Sequence, residues 1–434
     1  MIKWFVKKVI AYDRLYPILR TSFLYIWRKK LSGQWANLIY NNPSKDFFVI
    51  GVTGTNGKTT TVNLLHHMLN VLVGKTAMIS TAQIKIGNKT MPNTQKMSSL
   101  DVWDLMATLA LAREQGCKIA VLEVTSIGLE QFRFDGVSFD VWVLTNITED
   151  HLDYHWTMEN YARAKKKLFD YVLRNKKSQK FAVFPRDDLY GRKWAEDMPF
   201  DKKITYGLYG SSVLQAEQLS EKIDGTSFRV SYLGKEYAVD SPLVGAYNVS
   251  NVLAAMAVLV EMWFTLPKII QTIPSFPGVP GRMESFMHND VRYFVDFAHS
   301  PDALEKTLTY LQQIKWSGRL FVVFGAPWNR DKGKRPKMWA IVDRMADVLI
   351  ATDDDPDTEN RLDILAQLVK NVQRTQDFFV IPAREKAIAF AVDNAGPGDI
   401  VLLAGKWHET VQRTNFGHRP WSDKEELLSL FADW

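Results

Sequence analysis

The stretch Phe47-Phe-Val-Ile-Gly-Val-Thr-Gly-Thr-Asn-Gly-Lys-Thr-Thr-Thr61 decides the fold. An apolar, β-branched run enters a turn with glycines at 51, 54 and 57. Lys58-Thr59-Thr60 follows, then a segment with apolar residues at 64, 65, 68, 69 and 72. That order reads as strand, phosphate loop, helix. Across Gly54, Thr55, Asn56 and Gly57 the backbone N–H groups can turn inward toward an anion. The helix N-terminus, with Thr60 in its first turn, adds partial positive charge. Lys58 can neutralise β- and γ-phosphate oxygens, and the Thr59 hydroxyl can ligate Mg²⁺. Val52 stands where a strict Walker pattern has its first glycine, which here comes one residue early, so the loop is a variant. The plainer reading, an ordinary glycine-rich turn, is disfavoured by Gly-Lys-Thr in this strand–helix context.

Outward from that loop, 434 residues imply about two or three domains. The net charge of +6 suits acidic, phosphate-bearing ligands without requiring nucleic acid, for which no motif appears. The single cysteine, Cys117, excludes an internal disulfide and a four-cysteine zinc site, and fits a reducing compartment. The first ~45 residues form an appendage (1–45) rich in aromatic, aliphatic and basic side chains, among them Trp4, Tyr12, Phe23, Trp27, Lys7, Lys8, Arg14 and Lys30. Within residues 2–30 the longest uncharged run, Thr21–Trp27, is far short of the about 20 residues that span a bilayer, and no signal-peptide cleavage site follows. Two readings stand: a helix bent at Pro17 that packs on the body with its charges outward, or peripheral membrane contact through residues 1–40.

From residue 47 strands and helices alternate. Apolar runs at 119–124, 141–144 and 181–184 predict a mostly parallel, covered sheet. Between 204 and 243 short alternating runs joined by Gly234-Lys235 read as a small antiparallel β region. Proline and glycine cluster from Pro274 to Gly281. A second strand–helix series then runs through 293–297, 320–324, 348–352, 378–381 and 400–403. The expected architecture is α/β: a central ATP-binding domain over 46–281 and a Rossmann-like domain over 282–434.

Glu123 ends the run Ile119-Ala-Val-Leu-Glu, where a carboxylate at the C-terminal end of a strand is placed for Mg²⁺; a solvated acid is the plainer reading. Acids and histidines crowd in Thr145-Asn-Ile-Thr-Glu-Asp-His-Leu-Asp-Tyr-His155. Either His151 or His155 can ligate metal, or sit hydrogen-bonded at the surface. By spacing alone Lys165 reads as solvated.

Together, Thr53-Gly-Thr-Asn-Gly-Lys-Thr-Thr60, Glu123-Val-Thr-Ser126, the 145–155 segment and Ala164-Lys165 resemble the ATP-dependent Mur ligases of peptidoglycan synthesis. Gly245-Ala-Tyr-Asn-Val-Ser-Asn251, Val279-Pro-Gly-Arg-Met-Glu284, Val295-Asp-Phe-Ala-His299, Arg330-Asp-Lys-Gly-Lys-Arg-Pro336 and Gly405-Lys-Trp-His-Glu409 narrow the resemblance to the MurE branch, across roughly 47–425. That branch adds the third stem-peptide residue to UDP-MurNAc-L-Ala-D-Glu. The resemblance implies ATP and two Mg²⁺ ions, with a substrate carboxylate phosphorylated by ATP and the acyl phosphate then taken by an amine. It assigns catalysis to Lys58, Glu123, His151 and Lys165, and metal to Thr59, Glu123, His151 and a carbamylated Lys165. Asn248 and Asn251 match the adenine side, and Arg282, Asp296 and His299 the nucleotide clamp. Ser98, Ser99, Ser126 and Arg133 match the dipeptide site. Arg330, Asp354, Asp355, Asp357, Gly405 and Glu409 match the amino-acid site.

Departures from the branch are as informative. The motifs of its uridine-binding N-terminal domain are absent from residues 1–46. Trp407 replaces a glycine, and Ile127 a histidine. Thr352-Asp-Asp-Asp-Pro-Asp357 stands where diaminopimelate-adding members have Asp-Asn-Pro-Arg, so an acid replaces the arginine that pairs with the far carboxylate. Like charges repel, so the expected incoming amino acid is lysine or ornithine, held by its ammonium among these acids; a solvated acidic loop is the plainer alternative. Two other functions were weighed: a folylpolyglutamate or poly-glutamate ligase, against which the Arg330 and Gly405 segments speak, and a non-catalytic nucleotide-binding scaffold at the membrane. The expected location is the cytoplasm, at or away from the inner membrane face.

Overall fold

The structure is a computed structural model that describes residues 22–93, 99–177, 179–325, 334–355, 360–369, 372, 374, 376–406, 411–414 and 417–432. The apolar run before the glycine loop forms β1 (Phe48–Thr53), buried on both faces from Val49 onward, as a central parallel strand must be. Ten further strands complete its sheet: β2 (Thr76–Ile79), β3 (Gln83–Ile86), β4 (Lys89–Pro92), β5 (Ile119–Glu123), β6 (Val141–Leu144), β7 (Phe181–Pro185), β8 (Lys203–Gly207), β9 (Leu214–Lys222), β10 (Gly225–Tyr232) and β11 (Lys235–Ser241). Their order is β11-β10-β9-β8-β7-β6-β1-β5-β2-β3-β4. From β9 to β2 all pairs are parallel. Both edges turn antiparallel, through β9–β10–β11 and β2–β3–β4. The antiparallel region read from 204–243 therefore starts one strand later, because β8 continues the parallel run, and the β3–β4 edge was not foreseen. Leu233 and Gly234, both at positive φ, make the tight β10–β11 turn.

Helices cover both faces. Lys58–Leu72 and Ala246–Glu261 pack Val62, Leu65, Met68, Val252 and Met256 on one. Val102–Glu114, Met158–Arg174 and Leu189–Asp197 pack on the other around Trp142. The second sheet contains β12 (Glu284–His288), β13 (Val291–Asp296), β14 (Leu320–Phe324), β15 (Val348–Ala351), β16 (Phe378–Val380) and β17 (Ile400–Ala404), in the order β12-β13-β17-β14-β15-β16. All its pairs are parallel except β12–β13. Helices Arg384–Asn394 and Asp423–Ala432 lie on one face, joined by a fully buried Arg384–Asp423 ion pair at 2.6 Å. The same guanidinium donates to the Asp353 and Ala404 carbonyls, fixing the ends of β15 and β17.

The helix Phe23–Ile39 docks on the body through its small residues. Gly33 and Ala36 are buried, and a Cβ at Gly33 would lie 2.7 Å from Asp135 Cβ. Trp103 Nε1 donates to Ser32 Oγ at 2.9 Å. Contact through small residues leaves Phe23, Leu24, Trp27, Trp35, Leu38 and Ile39 outward, so this helix exposes an apolar face as well as its charges. Pro17 and its expected bend lie outside the described residues, among which no helix is long and apolar enough to cross a membrane.

Candidate active site

The C-terminal end of β1 turns sharply because it contains glycine. Gly54 has φ +153°, and a Cβ there would fall 1.8 Å from Thr145 Oγ1. Gly57, at φ +82°, has the Asn251 amide 2.2 Å from the same point. Gly57 is also the N-cap of the helix that begins at Lys58. The loop is braced from the end of β6. Thr145 Oγ1 donates to Asn56 O at 2.6 Å, Asn56 N donates to Asn146 Oδ1 at 2.9 Å, and Thr148 N donates to Thr55 Oγ1 at 3.0 Å. Tyr161 adds a hydroxyl on Thr55 Oγ1 at 3.2 Å. By sequence the 145–155 segment offers His151 or His155 as a metal ligand or a hydrogen-bonded histidine. Much of its work is to shape the loop, and the hydrogen-bonding side chains of Thr145, Asn146 and Thr148 were the available signal.

Two lysine amines, the half-buried Lys58 and the buried Lys165, meet at this loop. Lys58 Nζ donates to Gly54 O at 3.0 Å and Thr55 O at 2.7 Å. Lys165, only 1 % exposed, donates to Gly54 O at 2.5 Å and lies 4.3 Å from the Tyr161 ring centre. The spacing-only reading of Lys165 as solvated is wrong: its helix turns this residue onto the sheet. Neither lysine has an ion-pair partner among the described residues. Burial lowers the pKa of both. For Lys165 the charge of Lys58 lowers it further, opposed by Asp150 and Glu123, and the result lies well below the usual lysine range.

Glu123, at the end of β5, accepts from Thr59 Oγ1 at 3.1 Å and from Thr81 N at 2.9 Å. This juxtaposed hydroxyl and carboxylate are hard oxygen donors, a set that fits Mg²⁺. His151, at φ +54°, sits with Nε2 3.5 Å from Asp150 Oδ2. Among the four expected metal ligands, Thr59 and Glu123 are in contact, whereas His151 and Lys165 hold other partners. Among the described residues no group of three or more His, Cys, Asp or Glu side chains gathers as a metal cluster.

The second sheet closes the site. Arg282 reaches Thr59 Oγ1 at 3.4 Å and lies over the Phe297 ring at 4.6 Å. Asp296 accepts from the Met283 and Ala298 amides at 2.8 and 2.9 Å. Burial pushes its carboxyl up, with Arg282 opposing. Between the two sheets a cleft is lined by Gly57, Thr60, Asn248, Asn251, Arg282 and His299, among others. Asn251 donates to Asn248 Oδ1 at 2.9 Å, and Asn248 to Val244 O at 2.8 Å. Asn56 crosses the cleft to Asp302 Oδ2 at 2.7 Å; Asp302 was not foreseen.

Beyond Glu123, Ser99 Oγ and Thr125 Oγ1 are 2.8 Å apart, and Arg133 donates to Ser99 O at 2.6 Å. Thr125 was passed over in sequence, although it stands inside the quoted Glu123-Val-Thr-Ser motif. Ser126 Oγ lies 3.0 Å from His155 Nε2, so His155 partners a site residue. At the ends of β15 and β17 the acids are already engaged. Lys406, fully buried, sits 2.6 Å from Asp355 Oδ1 and 3.5 Å from Asp354 Oδ1, and Arg361 sits 2.7 Å from Asp353 Oδ2. The acidic loop therefore has resident cations, which the sequence reading of Asp354 and Asp355 as an open ammonium site did not include. Gly405, at φ +94°, lies beside Asp354: a Cβ on it would be 3.6 Å from Oδ2. Ser98, Arg330, Asp357 and Glu409 lie outside the described residues.

Two family profiles match the chain: the Mur ligase middle domain over residues 52–259 and the Mur ligase glutamate ligase domain over 281–407. A UDP-N-acetylmuramoyl-L-alanyl-D-glutamate–2,6-diaminopimelate ligase of Thermosynechococcus vestitus is 38% identical over 93% of this chain and 81% of its own length. A ligase of the same name from Pseudomonas aeruginosa is 36% identical over 92% and 81%. A solved structure of a ligase with that name aligns at a TM-score of 0.63, with 33% identity over 89% of this chain and 78% of that one. The folylpolyglutamate synthase of Mycobacterium tuberculosis aligns at 0.73 over 87% and 92%, but with 17% identity, a likeness of fold alone.

Proposed function

The chain belongs to the Mur ligase family, and from that premise we propose that it is an ATP-dependent amide ligase that adds the third amino acid to UDP-MurNAc-L-Ala-D-Glu in peptidoglycan synthesis. The observation that carries this is the pair of lysines, half-buried Lys58 and buried Lys165, meeting at a phosphate loop with no carboxylate ion-paired to either among the described residues. A buried cation without an anionic partner is costly, and a polyphosphate beside it removes the cost.

The substrate's D-Glu carboxylate attacks the γ-phosphorus of ATP. The bond to the β–γ bridging oxygen breaks and ADP leaves. The amine of the incoming amino acid then attacks the acyl carbon, an amide forms and inorganic phosphate departs with the oxygen. Lys58 holds the β/γ oxygens, the loop amides of 54–60 orient them, and Arg282 approaches from the second sheet. Asn248 and Asn251 face the adenine. Ser99, Thr125, Ser126 and Arg133 hold the dipeptide end. Thr59 and Glu123 would hold Mg²⁺, and His151 would serve a second ion; the metal would neutralise charge on the phosphates.

Lys165 is carbamylated in the active enzyme. Burial lowers the pKa of its amine; the deprotonated amine attacks CO₂ at carbon, an N–C bond forms and a proton on that nitrogen leaves to solvent. The product is an anion suited to Mg²⁺. A ¹³C resonance from labelled CO₂, present in wild type and absent in Lys165→Ala, is the expected signature, independent of turnover.

The incoming substrate is a diamino acid, with lysine or ornithine preferred over meso-diaminopimelate because Asp357 stands where an arginine would pair with the second carboxylate. The enzyme works in the cytoplasm, where residues 1–40 bring it to the inner membrane face. Incubation with ATP, UDP-MurNAc-L-Ala-D-Glu and each amino acid, with ADP release and product mass recorded, tests the whole reading. ADP release with folate and glutamate but not with the muramyl dipeptide would replace it with the folylpolyglutamate reading, and no turnover with any acceptor with the scaffold reading.

A further inference from the structure

Lys406 is a charged residue at the amino-acid end that stands inside the Gly405-Lys-Trp-His-Glu409 motif without a role assigned to it. It follows β17 directly, whereas Asp354 and Asp355 follow β15, and β14 runs between those two strands. Its side chain is fully buried and spans the end of β14 to reach both carboxylates, at 2.6 Å to Asp355 and 3.5 Å to Asp354. Gly325 and Gly405 make that crossing possible: a Cβ on Gly325 would fall 2.5 Å from Thr352 O, and one on Gly405 3.2 Å from Gly325 O. Gln412 Nε2 adds a bond to Asp354 O at 2.8 Å. These groups sit at the C-terminal edge of a parallel sheet, where such folds bind their ligands.

We propose that Lys406 is a specificity-determining residue: it acts as the resident ammonium of the acidic loop and sets which far-end charge the incoming amino acid can bear. The inference rests on the ligase reading above. Lysine and ornithine carry an ammonium at the far end, whereas diaminopimelate carries an ammonium and a carboxylate. With Lys406 in place, one of the two negative charges of Asp354 and Asp355 is offset, which weakens their pull on a cation. Removing it takes a positive charge away from the two carboxylates, and an added ammonium is then favoured. Removing one acid instead takes a negative charge away from Lys406, which weakens the preference for an ammonium and favours an added carboxylate.

The test is a ratio, kcat/KM for lysine over kcat/KM for meso-diaminopimelate, in the full chain. Lys406→Met should raise it and Asp355→Asn lower it, each by at least about tenfold, a modest fraction of a partly buried charge interaction. Lys406→Arg should keep the wild-type ratio. A structural role alone would slow both amino acids equally, so an unchanged ratio in a folded variant, or both variants moving it the same way, overturns the proposal. If Lys406→Met does not fold, Asp355→Asn decides alone. Calorimetric binding of the two amino acids gives the same ratio without turnover, so a wild type that binds them without releasing ADP overturns the ligase reading and leaves this one decided.

Discussion

Both sheets end their parallel strands in buried ammonium groups, but they treat them in opposite ways. At the end of β1, among the described residues, Lys58 and Lys165 donate to carbonyl oxygens and to no carboxylate. At the ends of β15 and β17, Lys406 meets two carboxylates and Arg384 a third. Buried charge needs compensation. Where the chain supplies it, the cation is part of the architecture; where it does not, the cation is kept for a ligand. The first end is built for anions from outside, and the second holds its own cations before any substrate arrives.

The largest effect separates activity from stability at the first end. Lys58→Met should lower kcat by about 10³–10⁵-fold, as loss of a cation on a transferring phosphoryl group does, yet leave thermal stability unchanged or raised because an uncompensated buried charge is gone. A clear fall in Tm would break the comparison. At the second end the balance reverses. Arg384→Met strands the buried Asp423 carboxylate and should cost about 3–5 kcal/mol of unfolding free energy, measured by urea titration; a loss below ~1 kcal/mol would show that the pair is not structural.

His66 sharpens the rule for a group that can shed its charge. It is buried without a carboxylate partner among the described residues, and burial holds its pKa down to about 4. Its folded pKa is below its unfolded value, so the protonated form is penalised in the fold. Stability is full above pH ~6.5 and falls by about 3 kcal/mol as pH drops to ~4. His66→Leu should flatten that part of the stability–pH curve, and an unchanged slope would point to other groups.

The smallest effect lies on the outward face of helix Phe23–Ile39. Trp27→Ser with Trp35→Ser should shift stability by no more than about 0.5 kcal/mol each, while reducing co-sedimentation with vesicles of anionic lipid. Equal pelleting of variant and wild type would remove the membrane contact.

Much of the first end was readable in order along the chain, because a phosphate loop is a local object. Gly54, Gly57, Lys58 and Thr59 are neighbours in sequence, and the strand–turn–helix pattern around them follows from apolar periodicity and glycine backbone freedom. Glu123 was readable as a strand-ending acid, and the repeated apolar runs announced two covered sheets. The tertiary structure decided everything that depends on long-range pairing of charge and on close approach. Lys165 reads as a surface lysine until its helix is laid on the sheet and its amine comes to rest 2.5 Å from Gly54 O. Asp354 and Asp355 read as an open acidic loop until Lys406, 51 positions from Asp355 in sequence, arrives across β14. The N-terminal segment reads either as a helix packed on the body with its charges outward or as a membrane contact until Gly33 and Ala36 make the contact with the body and leave Trp27 and Trp35 outside. Sequence fixes which residues can carry charge and where the chain can turn. Whether a charge is compensated depends on which strand ends meet, and only the packed sheets determine that.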